Sequence, residues 1–146
     1  MIDLADELAT VKDYLALESI RFEERLQVEY QIEDGSYAYK IPPMMLQTIV
    51  ENAIKHGISN LVKGGLIEIK CREGLQDELY IQVKNSGQYA PLPVGKQRDE
   101  DGHGIDNTQQ RLSLLYGNLA SFRIFNSGDQ FVITEIKIPK QRLTLD

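Results

Sequence analysis

The chain has 146 residues, 42% of them hydrophobic and 26% charged, which is enough for one domain with a sizeable core and ordinary for a soluble globular protein. A formal charge of −6 argues against a general nucleic-acid binder but leaves room for one nucleotide held at a local positive site. No apolar run approaches the ~20 residues of a membrane span, no basic-then-apolar signal pattern opens the chain, and the single cysteine, Cys71, excludes an intrachain disulfide and a cysteine-based metal cluster.

Residues 3–24 read as a helix, because Leu4, Leu8, Val11, Leu15 and Phe22 follow a four-three spacing with charged residues between them. The repeat runs for only about two to three heptads, too few for a coiled coil. Packing on its own domain is one reading of this helix. The other makes residues 1–25 the continuation of a missing upstream dimerisation region, because the chain opens inside the pattern. Leu26 to Glu33 alternates strictly and predicts a half-buried strand. Asp34-Gly35 is a turn signal, and Tyr37 to Ile41 is expected to return as a short strand.

Pro42-Pro43 breaks the chain and is expected in the first turn of the next helix. At ~100° per residue, Leu46, Ile49, Val50, Ala53 and Ile54 share one face of that helix; Thr48, Glu51, Asn52, Lys55 and His56 share the other. Much of the polar face is explained by helix chemistry alone. Glu51 and Lys55 are spaced for an i,i+4 ion pair, Lys55 and His56 complement the dipole in the last turn, and Gly57 suits a left-handed position past the end. Asn52 is not explained so, since a mid-helix amide competes with the backbone; an amide there, with a lysine one turn on, suits a bound metal and phosphate.

Leu66 to Arg72 and Glu78 to Lys84 predict two further strands about a turn at Glu73-Gly74 to Asp77. Cys71 shares a face with Ile67 and Ile69, which makes it a buried structural thiol. In the second strand Leu79, Ile81 and Val83 share a face, and period two aims Asn85 inward with them. Ser86-Gly87 follows, where a ligand can approach the backbone closely, although Asn-Ser-Gly is equally common turn chemistry. Residues 88–101 form a long aperiodic segment of the kind that is usually a functional loop or disordered. It ends in Gly102-His103-Gly104, which opens a helix bearing Ile105, Leu112, Leu115 and Tyr116 and stopping at Gly117. Paired glycines at a helix start can put free N–H groups on a phosphate, and Asp106 or Asn107 could equally be a plain cap. Ala120 to Phe125 and Gln130 to Ile138 read as a last hairpin about Asn126 to Asp129, ended by Pro139.

Asn52 in a helix, an inward Asn85 with Gly87 at a strand end, then a loop and Gly102-His103-Gly104 stand in an order that resembles the GHKL ATPase family. The likeness is closer to its LytS-like sensor histidine kinases and rests on Leu8 to Phe22 (LATVKDYLALESIRF), Ile41 to Gly57 (IPPMMLQTIVENAIKHG), Gly102 to Leu112 (GHGIDNTQQRL) and Leu115 to Gly117 (LYG). The resemblance implies an α+β fold: a two-layer α/β sandwich of GHKL (Bergerat) type, with a mixed, mostly antiparallel sheet covered on one face by helices. Residues 26–146 would be the histidine kinase-like ATPase domain. Its cofactors would be ATP and Mg²⁺, with Asn52 coordinating the metal, Lys55 facing the phosphates and Glu51 polarising a metal-bound water or the incoming imidazole. His56 would belong to the nucleotide site, Asn85 would stand where the family has its adenine-reading aspartate, and Gly87 would let the adenine edge approach. Gly102, His103, Gly104 and Ile105 would line the phosphate end, with residues 88–101 as the ATP lid.

Phosphoryl transfer of this kind needs positioning and charge neutralisation more than covalent chemistry. The resemblance also implies a phosphoacceptor histidine outside this chain, on an upstream dimerisation region, a response regulator as partner, a homodimer in the full-length form, and a cytoplasmic domain of a membrane-anchored protein. The chain departs from the family pattern at Asn85, at Tyr89 where a second glycine is usual, and at Asp129-Gln130 in place of glycine-threonine. An amide still accepts from an amino group but lacks the charge-assisted strength of a carboxylate. The expectation is ATP binding weakened by about tenfold, for ~1 kcal/mol lost. The alternatives are a pseudokinase or interaction module of the same fold with weakened or lost nucleotide binding, and a non-kinase ATPase of the gyrase or MutL kind.

Overall fold

The computed structural model describes residues 1–89 and 103–140, with backbone alone at 103 and 104. A short strand β1 (Ile2–Asp3) leads into helix α1 (Leu4–Phe22), followed by β2 (Leu26–Ile32), β3 (Lys40–Ile41) and α2 (Met45–Asn52). Then come β4 (Gly65–Glu73), β5 (Glu78–Ser86), α3 (His103–Tyr116), β6 (Ser121–Ser127) and β7 (Phe131–Pro139). Five strands form one sheet in the order β2-β4-β5-β7-β6, parallel between β2 and β4 and antiparallel elsewhere. The expected mixed, mostly antiparallel sheet with helices on one face is therefore present.

The alternation of each strand fixes its inner face. Ile67, Ile69 and Cys71 of β4, Leu79, Ile81 and Val83 of β5, and Ile136 and Ile138 of β7 are buried in one cluster with the apolar stripes of α1 and α2. Leu4, Leu8, Val11 and Leu15 are at most 1% exposed, so α1 packs into the core of this domain. Residue 3, expected to be helical, is extended and belongs to β1. Burial pushes the Cys71 thiol up to about 12.

The expected hairpin between residues 26–33 and 37–41 does not form. Asp34–Ser36 makes a 3₁₀ turn, and β3 pairs instead with β1, Ile41 opposite Ile2. Strand β2 lies parallel to β4 from Leu26↔Gly65 to Ile32↔Cys71. A parallel pair needs a long crossover, and this one carries α2.

The prolines also sit differently from expectation. Helix α2 starts at Met45, after Met44 in the left-handed region at φ 69°, so Pro42-Pro43 precede the helix. The first-turn N–H groups are met from another helix: Glu7 of α1, only 3% exposed, accepts from Met44 N at 2.6 Å and Leu46 N at 2.7 Å. Arg111 of α3 donates to the carbonyl of Pro43. The start of α2 is thus held by both other long helices. The hairpin β6–β7 forms in the expected place, with Gly128 at φ 69° in its turn.

Candidate functional site

Helix α2 runs without interruption into a π-helical turn, Ala53–Gly57, and a 3₁₀ turn, Ile58–Asn60. Asn52 sits at the junction, and its Nδ2 donates to the Thr48 carbonyl at 3.0 Å. This back-bond accounts for an amide in mid-helix: the nitrogen is satisfied locally, and Oδ1 is the atom left to meet a cation. The expected Glu51–Lys55 pair is absent. Glu51 accepts from Gln47 Nε2 at 3.1 Å instead. A π-turn spaces its bonds i→i+5, which takes Lys55 off the row that Glu51 heads.

Gly57 does not take the expected left-handed position; its φ is −111° and it lies within the helical run. What it provides is close approach. A Cβ at 57 would lie 2.5 Å from Asn85 Nδ2 and 3.2 Å from the Ser86 carbonyl oxygen. Gly87, at φ +131°, answers it: a Cβ there would lie 3.1 Å from the Gly57 Cα. The two glycines let the end of α2 touch the end of β5, which places the polar ends of both elements side by side.

Asn85 is 4% exposed on the inner face, as period two requires. It belongs to β5, which runs through Ser86, and not to a turn. Its Nδ2 donates to the Ser86 carbonyl at 2.9 Å, so an incoming donor meets Oδ1. Ser86 Oγ in turn accepts from Leu66 N at 2.9 Å, and Gly87 N donates to the Gln130 carbonyl at 2.9 Å. The strand end that carries Asn85 is therefore fixed from both neighbouring strands.

Between α2, the start of α3 and the ends of β5, β6 and β7 lies a cleft, open to solvent and spanning about 520 Å³ with its mouth, with Asn52, His56, Asn85 and Ile105 among its lining residues. Ile49, Ala53, Ile124 and Val132 supply apolar walls, and Gln88 and Tyr89 border it from the strand end. A slot of this kind takes a flat apolar body with a polar edge. Gly87 borders the adjoining open groove, together with His56, Lys63 and Gly64. Glu51 and Lys55 do not line the cleft, and Lys55 is exposed. His103 and Gly104 form the first turn of α3, next to the cleft-lining Ile105. Gly102 and residues 90–101 of the expected lid lie outside the described residues.

Among the described residues no group of three or more His, Cys, Asp or Glu side chains could hold a metal. The donor set around Asn52 does fit Mg²⁺ that arrives on phosphate oxygens, because that ion prefers oxygen ligands, keeps waters, and needs little more from the protein than an amide oxygen.

Three features of the site were not anticipated from sequence. Thr134 lines the cleft and is 4% exposed; its signal was a polar residue in phase with Val132, Ile136 and Ile138. Ile124 and Val132 line it too, and could be found only by knowing that β6 and β7 border α2. Asn126 of β6 clamps Tyr89 just past the end of β5: its Oδ1 accepts from Tyr89 N at 2.8 Å and its Nδ2 donates to the Tyr89 carbonyl at 2.9 Å. That clamp carries no local sequence signal, since Asn126 reads as a turn residue.

No family model matches the chain. Among curated proteins it is 33% identical to the sensor protein LytS of Enterococcus faecalis, over 97% of this chain and 26% of that protein. It is 32% identical to the sensor histidine kinase BtsS of Escherichia coli K12, over 94% of this chain and 24% of that protein. The chain thus spans about a quarter of the length of the curated relatives it matches. Among solved structures, the catalytic domain of histidine kinase ThkA superposes with a TM-score of 0.68 at 14% identity, covering 95% of this chain and 94% of that one. Full-length ShkA, in complex with AMPPNP, gives a TM-score of 0.65 at 16% identity over 94% of this chain and 30% of that one. By sequence the chain is a homologue of the LytS-like sensor histidine kinases, and by structure it has the fold of a histidine kinase catalytic domain.

Proposed function

We propose that the chain is the ATP-binding catalytic domain of a two-component sensor histidine kinase, which transfers the γ-phosphate of Mg-ATP to a histidine outside this chain for relay to a response regulator. The observation that carries this reading is the cleft itself: in a homologue of sensor kinases, it gathers Asn52, Asn85 and Ile105 around a slot suited to a purine. In this reading the base enters between the apolar walls and gives its amino group to Asn85 Oδ1. Asn52 Oδ1 faces the metal end, with His56 and the first turn of α3, His103 to Ile105, toward the phosphates. Lys55 reaches the phosphate end from its exposed position through its flexible stem, and Glu51 orients a water or the incoming imidazole. Mg²⁺, when bound, neutralises charge on the transferring phosphoryl group.

Residues 1–25 then connect the domain, through β1 and α1, to an upstream dimerisation and phosphoacceptor region. The full-length protein is a homodimer anchored in the membrane, with this part in the cytoplasm. Within the described residues no helix is long and apolar enough to cross a membrane. Nothing in the structure or among the relatives favours the pseudokinase alternative. Calorimetry with Mg-ATP tests the reading: saturable heat is expected, at an affinity about tenfold below that of a carboxylate-bearing site. Absence of heat at millimolar nucleotide contradicts it.

A further inference from the structure

The amide of Asn126 takes both backbone groups of one distant residue. It accepts from Tyr89 N at 2.8 Å and donates to the Tyr89 carbonyl at 2.9 Å. Paired strands exchange two bonds in this way; here a single side chain does it. Both bonds are exposed, so water would serve the same groups and the clamp adds little to global stability. What it fixes is a position.

That position is the rim of the cleft. The chain leaves β5 through Gly87 at φ 131°, and Gly87 N donates to the Gln130 carbonyl just ahead of β7. It thus crosses the end of β7 toward β6. Asn85, Val132 and Asn126 stand in one row across β5, β7 and β6. With strands about 4.8 Å apart, Asn126 lies roughly 10 Å from Asn85 across Val132. Tyr89, tied to the far end of that row, is half-buried and lines the same cleft as Asn85 and Val132. A second glycine is usual at this place in the family pattern, and it would bring no side chain; this chain brings a ring.

We infer that Tyr89 packs its ring against the base in the cleft, and that Asn126 is the positioning residue that keeps the ring there. This rests on the reading of the cleft as a nucleotide site and adds a contact to it. An aromatic ring gives a flat base a large apolar partner for few rotatable bonds. Holding its backbone before the ligand arrives lowers the cost of ordering it on binding. Asn126 itself is not among the lining residues, so it acts through Tyr89.

Calorimetric titration with Mg-ATP of wild type, Tyr89→Ala, Tyr89→Phe, Asn126→Ala and the Tyr89→Ala/Asn126→Ala double variant tests this. Tyr89→Ala should bind about tenfold more weakly. Tyr89→Phe should recover most of that loss, because the ring and not the hydroxyl makes the contact. Asn126→Ala should weaken binding about three- to fivefold at near-wild-type stability to urea, and should cost nothing further in the Tyr89→Ala background. The chain has no tryptophan, so Tyr89→Trp gives a sole reporter. Its emission should change on adding Mg-ATP, and change less when Asn126→Ala is added. Equal ATP affinity in wild type and Tyr89→Ala overturns the inference, and additive losses at the two positions overturn the role of Asn126. Failure of wild type to bind ATP at all overturns the nucleotide reading itself, and this inference with it.

Discussion

Replacing Gly57 by alanine tests how tightly the fold ties its two polar elements together. The new Cβ would sit 2.5 Å from Asn85 Nδ2 and 3.2 Å from the Ser86 carbonyl oxygen. The backbone at φ −111° is negative and carries no left-handed penalty, so the cost comes from contact. The Ser86 oxygen can yield by a few tenths of an ångström; the Asn85 amide must leave its place. Overpacking of this kind costs about 1–3 kcal/mol, roughly 4 °C of Tm per kcal/mol for a domain of this size. Because the nearest atom is a side chain, much of the loss should return in an Asn85→Ala background, with a coupling of about 1 kcal/mol. Urea unfolding of the two single variants and the double variant measures both quantities, and nucleotide titration of Gly57→Ala should show weakened binding. Full stability of Gly57→Ala, or a cost unchanged when Asn85 is truncated, would refute the close approach as the reason for glycine.

Glu7→Gln should destabilise the domain by about 2–3 kcal/mol in urea unfolding, because the amide nitrogen would face a buried backbone N–H that a Glu7 carboxyl oxygen now accepts, and an amide nitrogen, unlike the hydroxyl oxygen of a protonated acid, has no lone pair to offer it. Burial raises the Glu7 pKa above 4.5, against the backbone N–H groups of α2 and the Arg111 charge. The folded state therefore holds that proton more tightly than the unfolded one. The advantage of wild type over the Gln variant should be fullest below about pH 4.5 and shrink as pH rises through the folded pKa; an advantage that grows from pH 4 to 7 would contradict this. Cys71, buried with its thiol pushed up to about 12, should resist an aromatic disulfide reagent at pH 8 until the protein unfolds, and prompt stoichiometric labelling would count against its burial. Asn126→Ala removes both bonds to Tyr89. Hydrogen exchange at the Tyr89 amide should quicken while global stability changes by less than about 1 kcal/mol, since the clamp is exposed; unaltered exchange there would remove its role.

What the sequence made legible follows from periodicity. The stripes of α1 and α2, the inner faces of β4, β5 and β7, and the inward aim of Asn85 are consequences of 3.6- and 2-residue repeats. Partner choice is not in those repeats. The alternation of β2 says which side chains face in, and nothing of whether the strand pairs with residues 37–41 or crosses to β4; the burial of α2 under a crossover decided it. The π-turn after Asn52 was equally hidden, because it arises where α2 must bring Gly57 against β5. It moved Gly57 from a helix end to a contact point and cost Glu51 its expected pair. Of the site, Asn52, His56, Asn85 and Ile105 were readable through the family likeness and do meet in the cleft. Thr134 left a faint sign, a break in an aliphatic parity, that matters only once β7 is known to lie beside β5.

The central claim is that Asn52 and Asn85 face one Mg-nucleotide across this cleft. One set of calorimetric titrations with ATP, with and without Mg²⁺, on wild type, Asn52→Ala and Asn85→Asp addresses it. Asn52→Ala should lose the Mg²⁺-dependent part of binding, and Asn85→Asp should tighten binding by about tenfold as an ionised acceptor replaces an amide. Equal affinity in all three proteins would contradict the assignment.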